Sequence, residues 1–142
     1  MGFEVCNSEK ENLKEKAMKI FGTADSIHGK TADVDIYIDA AGAEQIISDY
    51  QDMGKIESRL VVVAVLAGMR PINVLDMTYS QHAIIGSGGY MPQDVKDVIS
   101  IMRSGNWNIE KIITDEYPWE QLPQAIEKAS DTASSFNVVI KY

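Results

Sequence analysis

The sequence predicts an α/β fold with a mainly parallel sheet, on three observations. Strand-like and helix-like stretches alternate along the chain. The run Leu60-Val61-Val62-Val63-Ala64-Val65 is continuously apolar and rich in β-branched residues, the pattern of a strand covered on both faces. Finally, three strand-like segments end in small residues and glycine, as strands do where a ligand approaches the main chain of a parallel sheet.

Taken in order, Phe3 to Cys6 is a short apolar stretch that predicts a strand. Ser8-Glu9-Lys10-Glu11 has the Ser-x-x-Glu spacing of a capping box, which predicts a helix from Ser8. Leu13, Ala17, Ile20 and Phe21 form one stripe of that helix, and Gly22 ends it. Ile27 and His28 predict a brief strand before a turn at Gly29-Lys30-Thr31, and Val34, Ile36 and Ile38 alternate in a further strand closed by Asp39. Ile46, Ile47, Tyr50 and Met53, with Gly54 beyond them, mark a second helix ahead of the valine-rich run. Ala83-Ile84-Ile85 is strand-like, and Val95, Val98, Ile99 and Met102 give a helix stopped by Gly105. A short helix should begin between Trp119 and Pro123, because proline is tolerated near a helix start, and run to about Ala129. Val138-Val139-Ile140 is the last strand. Ser104-Gly105-Asn106 combines turn-favouring residues, so the expected organisation is a sheet region over 1–103 and a C-terminal extension over 104–142.

Composition excludes several classes. At 142 residues and 45% hydrophobic content the chain can form an ordinary packed core. Its formal charge of −8 opposes binding to nucleic acid, which needs clustered Lys and Arg to replace counterions on phosphate. The longest apolar run, Leu60 to Gly68, is about half the roughly 20 residues of a spanning helix, and no basic region followed by an apolar stretch opens the chain. The expectation is a soluble, cytoplasmic protein without membrane partners. Cys6 is the single cysteine, so no intrachain disulfide forms and a packed thiol is expected.

The three glycine-bearing strand ends are Ile38-Asp39-Ala40-Ala41-Gly42, Val63-Ala64-Val65-Leu66-Ala67-Gly68 and Ile85-Gly86-Ser87-Gly88-Gly89-Tyr90. Singly, such residues permit tight turns and nothing more. In series they are more specific, because they are followed by Ser104-Gly105, Ile112-Ile113-Thr114, Tyr117-Pro118, Leu122, Ala125 and the closing Val138-Val139-Ile140. This order resembles the later part of the zinc-type medium-chain alcohol and polyol dehydrogenases, and the resemblance covers nearly the whole chain.

The resemblance implies an incomplete Rossmann-like doubly wound sheet with NAD or NADP lying across the strand ends. It would put Ala41 and Gly42 near the adenosine ribose, line the nicotinamide pocket with Val63, Ala64 and Val65, and offer main-chain contacts to the carboxamide from Ile85, Gly86 and Ser87. The family's ribose-binding acid falls on Asn7 or, with a shifted gap, on Glu9, which can equally be a solvated first-turn carboxylate favoured by the helix dipole. The family's dimerisation segment corresponds to the stretch around Pro71 to Val74, so a homo-oligomer is expected.

Departures from the family are equally informative. Its first strand and Gly-x-Gly-x-x-Gly turn, whose helix N-terminus receives the pyrophosphate, have no counterpart here, and Gly86-Ser87-Gly88-Gly89 has the wrong spacing. Between Ile27 and Val34, where the family carries another helix, there is a short polar connection, and a basic residue of the family near the last strand corresponds to Asn137. Cys6, His28 and His82 are scattered, so neither a metal site nor catalytic residues are expected, the family's zinc belonging to a domain outside this sequence. The histidines are expected at strand ends, satisfied by backbone or water. Two functions stay open: the cofactor-binding part of a dehydrogenase that is not competent alone, or a stand-alone non-catalytic interaction module.

Overall fold

A computed structural model describes residues 3–65 and 67–142, so the expectation for Leu66 lies outside the described residues. The chain divides into two compact units, Gly2–Gly89 and Tyr90–Tyr142, with the division ahead of the fourth helix rather than after it.

The first unit opens with a departure from expectation. Residues 3–7 form no strand, and Phe3 and Val5 are each 75% exposed. An apolar segment becomes a strand only where a neighbour takes its amides and carbonyls; here the segment borders the Leu13, Ala17, Ile20 and Phe21 stripe, and the Val5 carbonyl accepts from Lys16 Nζ at 2.6 Å. The first helix, α1 (Leu13–Phe21), starts later than Ser8. Residues 8–10 instead form a turn under Asn7, whose Oδ1 accepts from the Glu9 amide at 3.0 Å, and Asn12 caps the helix by accepting from the Glu15 amide at 3.0 Å. Asn12 and Glu15 repeat the spacing of Ser8 and Glu11, but only Asn12 adjoins the apolar stripe, so the helix starts where it can be packed.

After Gly22 (φ +86°), β1 (Thr23–Ser26) and β2 (Gly29–Ala32) make an antiparallel hairpin with Ser26 opposite Gly29. The expected strand at Ile27-His28 is thus the turn, and the expected turn at Gly29-Lys30-Thr31 is strand. The Ser26 hydroxyl accepts from the His28 amide at 3.1 Å and donates to the Gly29 carbonyl at 3.0 Å, which closes the turn two residues earlier than glycine alone indicates.

A parallel sheet in the order β3-β4-β5 follows, built from β3 (Ile36–Asp39), β4 (Arg59–Val62) and β5 (Ala83–Gly86), with α2 (Ile46–Met53) and α3 (Val74–Ser80) between them. Tyr37, Leu60 and Ile84 are in register and, with Ile47 and Tyr50 of α2, make the core. Tyr50 also donates its hydroxyl to the Ser58 carbonyl at 2.7 Å, so its polar end is satisfied where its ring is buried. The α3 helix was not anticipated from the sequence; its signal is Asn73, whose Oδ1 accepts from the Leu75 and Asp76 amides at 3.1 and 3.3 Å. β3 is an edge of its sheet, and no pairing with residues 3–6 occurs.

The second unit contains α4 (Pro92–Arg103), a short 3-10 turn, β6 (Asp115–Pro118), α5 (Leu122–Ser130) and β7 (Val138–Lys141). β6 and β7 are parallel, with α5 as their crossover and Ala125 the buried residue of that helix. The starts of α4 and α5 follow the proline rule, Pro92 and Pro123 lying in their first turns.

Candidate functional site

The parallel register aligns Asp39, Val62 and Gly86 at the carboxyl ends of β3, β4 and β5. Three separate segments, containing Ala41 and Gly42, Val63 to Val65, and Ile85 to Ser87, are thereby brought to one edge. Asp39 organises that edge. Its Oδ1 accepts from the Ala41 and Gly42 amides at 3.0 and 2.8 Å, and its carbonyl accepts from the Val63 and Ala64 amides at 2.9 and 3.0 Å. Gly42 is at φ +74°, a conformation that glycine adopts without strain. The Ser87 amide donates to the Val62 carbonyl at 2.8 Å, tying β5 to β4.

This has a chemical consequence. The amides of Ala41, Gly42, Val63, Ala64 and Ser87 are occupied within the edge and are not free to meet a ligand. Val63, Val65 and Ile85 are exposed, and a Cβ at Gly86, Gly88 or Gly89 would meet nothing within 4 Å, so the end of β5 has room for a flat group. Asp39 Oδ2 is buried and makes no hydrogen bond among the described residues, an acceptor available to a donor at this edge. The sequence did not single out Asp39 as a site residue, although an Asp two and three residues ahead of small residues is the signature of such a side-chain turn.

Asn7 and Glu9 lie in the turn before α1, and neither belongs to the β3-β4-β5 edge. The opposite, amino-terminal edge carries a cleft of about 740 Å³, lined by Asp35, Ile36, Lys55, Arg59, Gln81 and Ala83 among others. Lys55 bridges Asp33 and Asp35 there at 2.5 and 2.6 Å, and hydrogen bonds from these two carboxylates push its ammonium well above its usual range. Lys55 is thereby neutralised, Arg59 also lines this cleft, and the small-residue strand ends lie elsewhere.

Cys6, His28 and His82 do not converge. Cys6 lies against α1, and the His82 ring packs tilted against Tyr50 at a centroid distance of 4.7 Å, with Nε2 3.2 Å from the Lys55 carbonyl. His28 sits in the hairpin turn, its Nε2 3.4 Å from Asp76 Oδ2, so its partner is a carboxylate rather than the expected backbone or water.

No protein-family model and no curated protein sequence matches the chain. Solved structures do. An alcohol dehydrogenase zinc-binding domain protein from Burkholderia ambifaria is similar at TM-score 0.74 and 18% identity, over 96% of this chain and 35% of that one. A short chain alcohol dehydrogenase from Escherichia coli, complexed with NADH, is similar at TM-score 0.66 and 19% identity, over 76% of this chain and 32% of that one. A structure from Sinorhizobium meliloti, described as a zinc-binding dehydrogenase and bound to NADP, gives TM-score 0.65 and 19% identity over 77% and 32%. The chain spans about a third of the length of each of these structures. Among the described residues no helix is long and apolar enough to cross a membrane. The chain has the α/β fold found in part of the zinc-type alcohol and polyol dehydrogenases.

Proposed function

We propose that this chain is the C-terminal, cofactor-binding part of an NAD(P)-dependent zinc-type alcohol or polyol dehydrogenase. The observation that carries the proposal is the shared edge of β3, β4 and β5, where open, apolar, glycine-bearing strand ends lie side by side on a fold found in dehydrogenases. Val63, Ala64, Val65, Ile85, Gly86 and Ser87 hold the nicotinamide side, and Ala41 and Gly42, fixed by Asp39, lie toward the adenosine ribose.

NAD(P), when bound, supplies the hydride acceptor. The residues of this chain orient the nicotinamide and exclude water from one side of it; they supply neither the zinc ligands nor the proton transfer. The 142 residues hold no Gly-x-Gly-x-x-Gly turn, so their own affinity for the dinucleotide is weak. The open edge of β3, with Ile36 and Ile38 exposed, supports self-association into a homo-oligomer, and the acidic composition fits a cytoplasmic location. Titrating isotope-labelled protein with millimolar NADH tests the proposal. Amide shifts concentrated at Gly42, Ala64, Val65, Gly86 and Ser87 are expected; unchanged resonances there contradict it.

A further inference from the structure

We propose that His28, Asp52 and Asp76 bind one divalent transition-metal ion of the zinc class, at a site distinct from the strand ends and independent of any dinucleotide. The three come from three elements of the first unit: the β1-β2 turn, the last turn of α2 and the first turn of α3. One ligand atom from each lies within 4.8 Å of the others. Ligand atoms placed tetrahedrally at about 2.0 to 2.2 Å from zinc are about 3.3 Å apart. His28 Nε2 and Asp76 Oδ2, at 3.4 Å, already have that separation, which is longer than an ordinary N–H···O hydrogen bond. Asp52 is exposed, and a rotamer change can bring its carboxylate in.

Asp76 supplies the second observation. It is 5% exposed, and among the described residues no lysine or arginine pairs with it; the titratable side chain against it is His28, a member of the set. A buried carboxylate needs compensating charge. A divalent cation on two carboxylates and a neutral imidazole balances the site to zero charge, and this donor set suits Zn²⁺, Co²⁺, Mn²⁺ or Fe²⁺ rather than a thiophilic ion. With three protein ligands, a further position remains for water.

The framework is fixed on every side. Gln51 Nε2 donates to the Asn73 carbonyl at 2.8 Å and Gln51 Oε1 accepts from the Asn73 amide at 3.0 Å, which clamps the residue before Asp52 to the cap of the helix bearing Asp76. Thr31 Oγ1 donates to the Met53 carbonyl and the Ile56 amide donates to the Asp25 carbonyl, holding the hairpin that carries His28 against the end of α2. Such supporting bonds preset ligand positions.

To test the site, the chain is freed of metal with a chelator, returned to chelator-free buffer, and titrated with Zn²⁺ by calorimetry and with Co²⁺ by visible absorption. One saturable Zn²⁺ per chain is expected, with Co²⁺ bands that Zn²⁺ displaces. His28→Gln and Asp52→Asn should each weaken binding by at least about tenfold, while Asp49→Asn, an exposed carboxylate on the same helix, leaves it unchanged. Asp76→Asn should weaken it further. If that variant does not fold, the two exposed variants and Zn²⁺-induced shifts of the His28 ring nitrogens decide. No saturable binding below millimolar Zn²⁺, or full binding by the His28→Gln/Asp52→Asn double variant, overturns the proposal and leaves His28 and Asp76 as a side-chain contact only.

Discussion

On one face of the β3-β4-β5 sheet, Tyr37, Leu60 and Ile84 lie beneath α2 and enclose Tyr50 and Ile47; on the other, Ile36, Ile38 and Ile85 are 57%, 69% and 45% exposed. The two faces belong to the same strands and are comparably apolar. What separates them is the covering element: α2 returns over one face, and among the described residues of the first unit no comparable cover lies over the other. Hydrophobic pattern states which surface favours burial, not which segment buries it.

The largest expected effect lies on the covered face. Tyr50→Ala removes a ring that is 2% exposed and its hydrogen bond to Ser58, and should cost about 3 to 5 kcal/mol in urea unfolding. A loss no greater than that of a surface substitution would mean that this face is not the core. Gly54→Ala sharpens the same point. A Cβ there would sit 2.8 Å from His82 Nε2, Ser58 Oγ and the Tyr50 carbonyl, and the carbonyl cannot move aside, so about 1 to 3 kcal/mol of stability should go.

Alkaline pH probes the two buried phenols of the covered face together with Lys55 of the amino-terminal cleft. Burial holds the Tyr37 and Tyr50 phenols above the usual 10.0, and Asp33 with Asp35 holds Lys55 above its usual 10.5. All three bind their protons more tightly when folded. The stability they contribute is therefore present below the unfolded values and is lost as pH rises through the raised folded ones. The urea midpoint should fall above pH 10.0, less steeply in Lys55→Met; a midpoint that rises there contradicts the assignment.

The smallest effect on stability is expected on the bare face. Ile38→Thr should change unfolding by no more than about 0.5 kcal/mol. It should, however, lower self-association measured by light scattering at micromolar concentration, since β3 is both an apolar face and an open edge. An Ile38→Thr chain that unfolds readily would show that this face is packed after all.

The sequence made the α/β alternation, α2, α4, α5 and the β4, β5 and β7 segments legible, because each is a local apolar pattern, marked for α2 and α4 by a following glycine and for α5 by a proline in its first turn. It misplaced the start of α1, where two capping motifs compete, and the β1-β2 turn, where the Ser26 side chain outweighed glycine as the deciding signal. The strand expected at Phe3 to Cys6 failed for a non-local reason, the absence of a pairing neighbour. The β3-β4-β5 edge could be anticipated because its three segments share one composition. The His28, Asp52 and Asp76 cluster could not, because its members are far apart in sequence and only the Gln51–Asn73 clamp and the hairpin dock unite them.

The central claim is that this chain holds the nicotinamide side of a dinucleotide without holding its pyrophosphate. Calorimetric titration with NADH, NADPH and ADP-ribose under one set of conditions tests it most directly. The account predicts weak binding of NADH or NADPH and weaker or undetectable binding of ADP-ribose, which lacks the nicotinamide. Submicromolar affinity, or ADP-ribose binding as well as the full dinucleotides, would contradict it by showing that the phosphates or the adenosine end are what this chain grips.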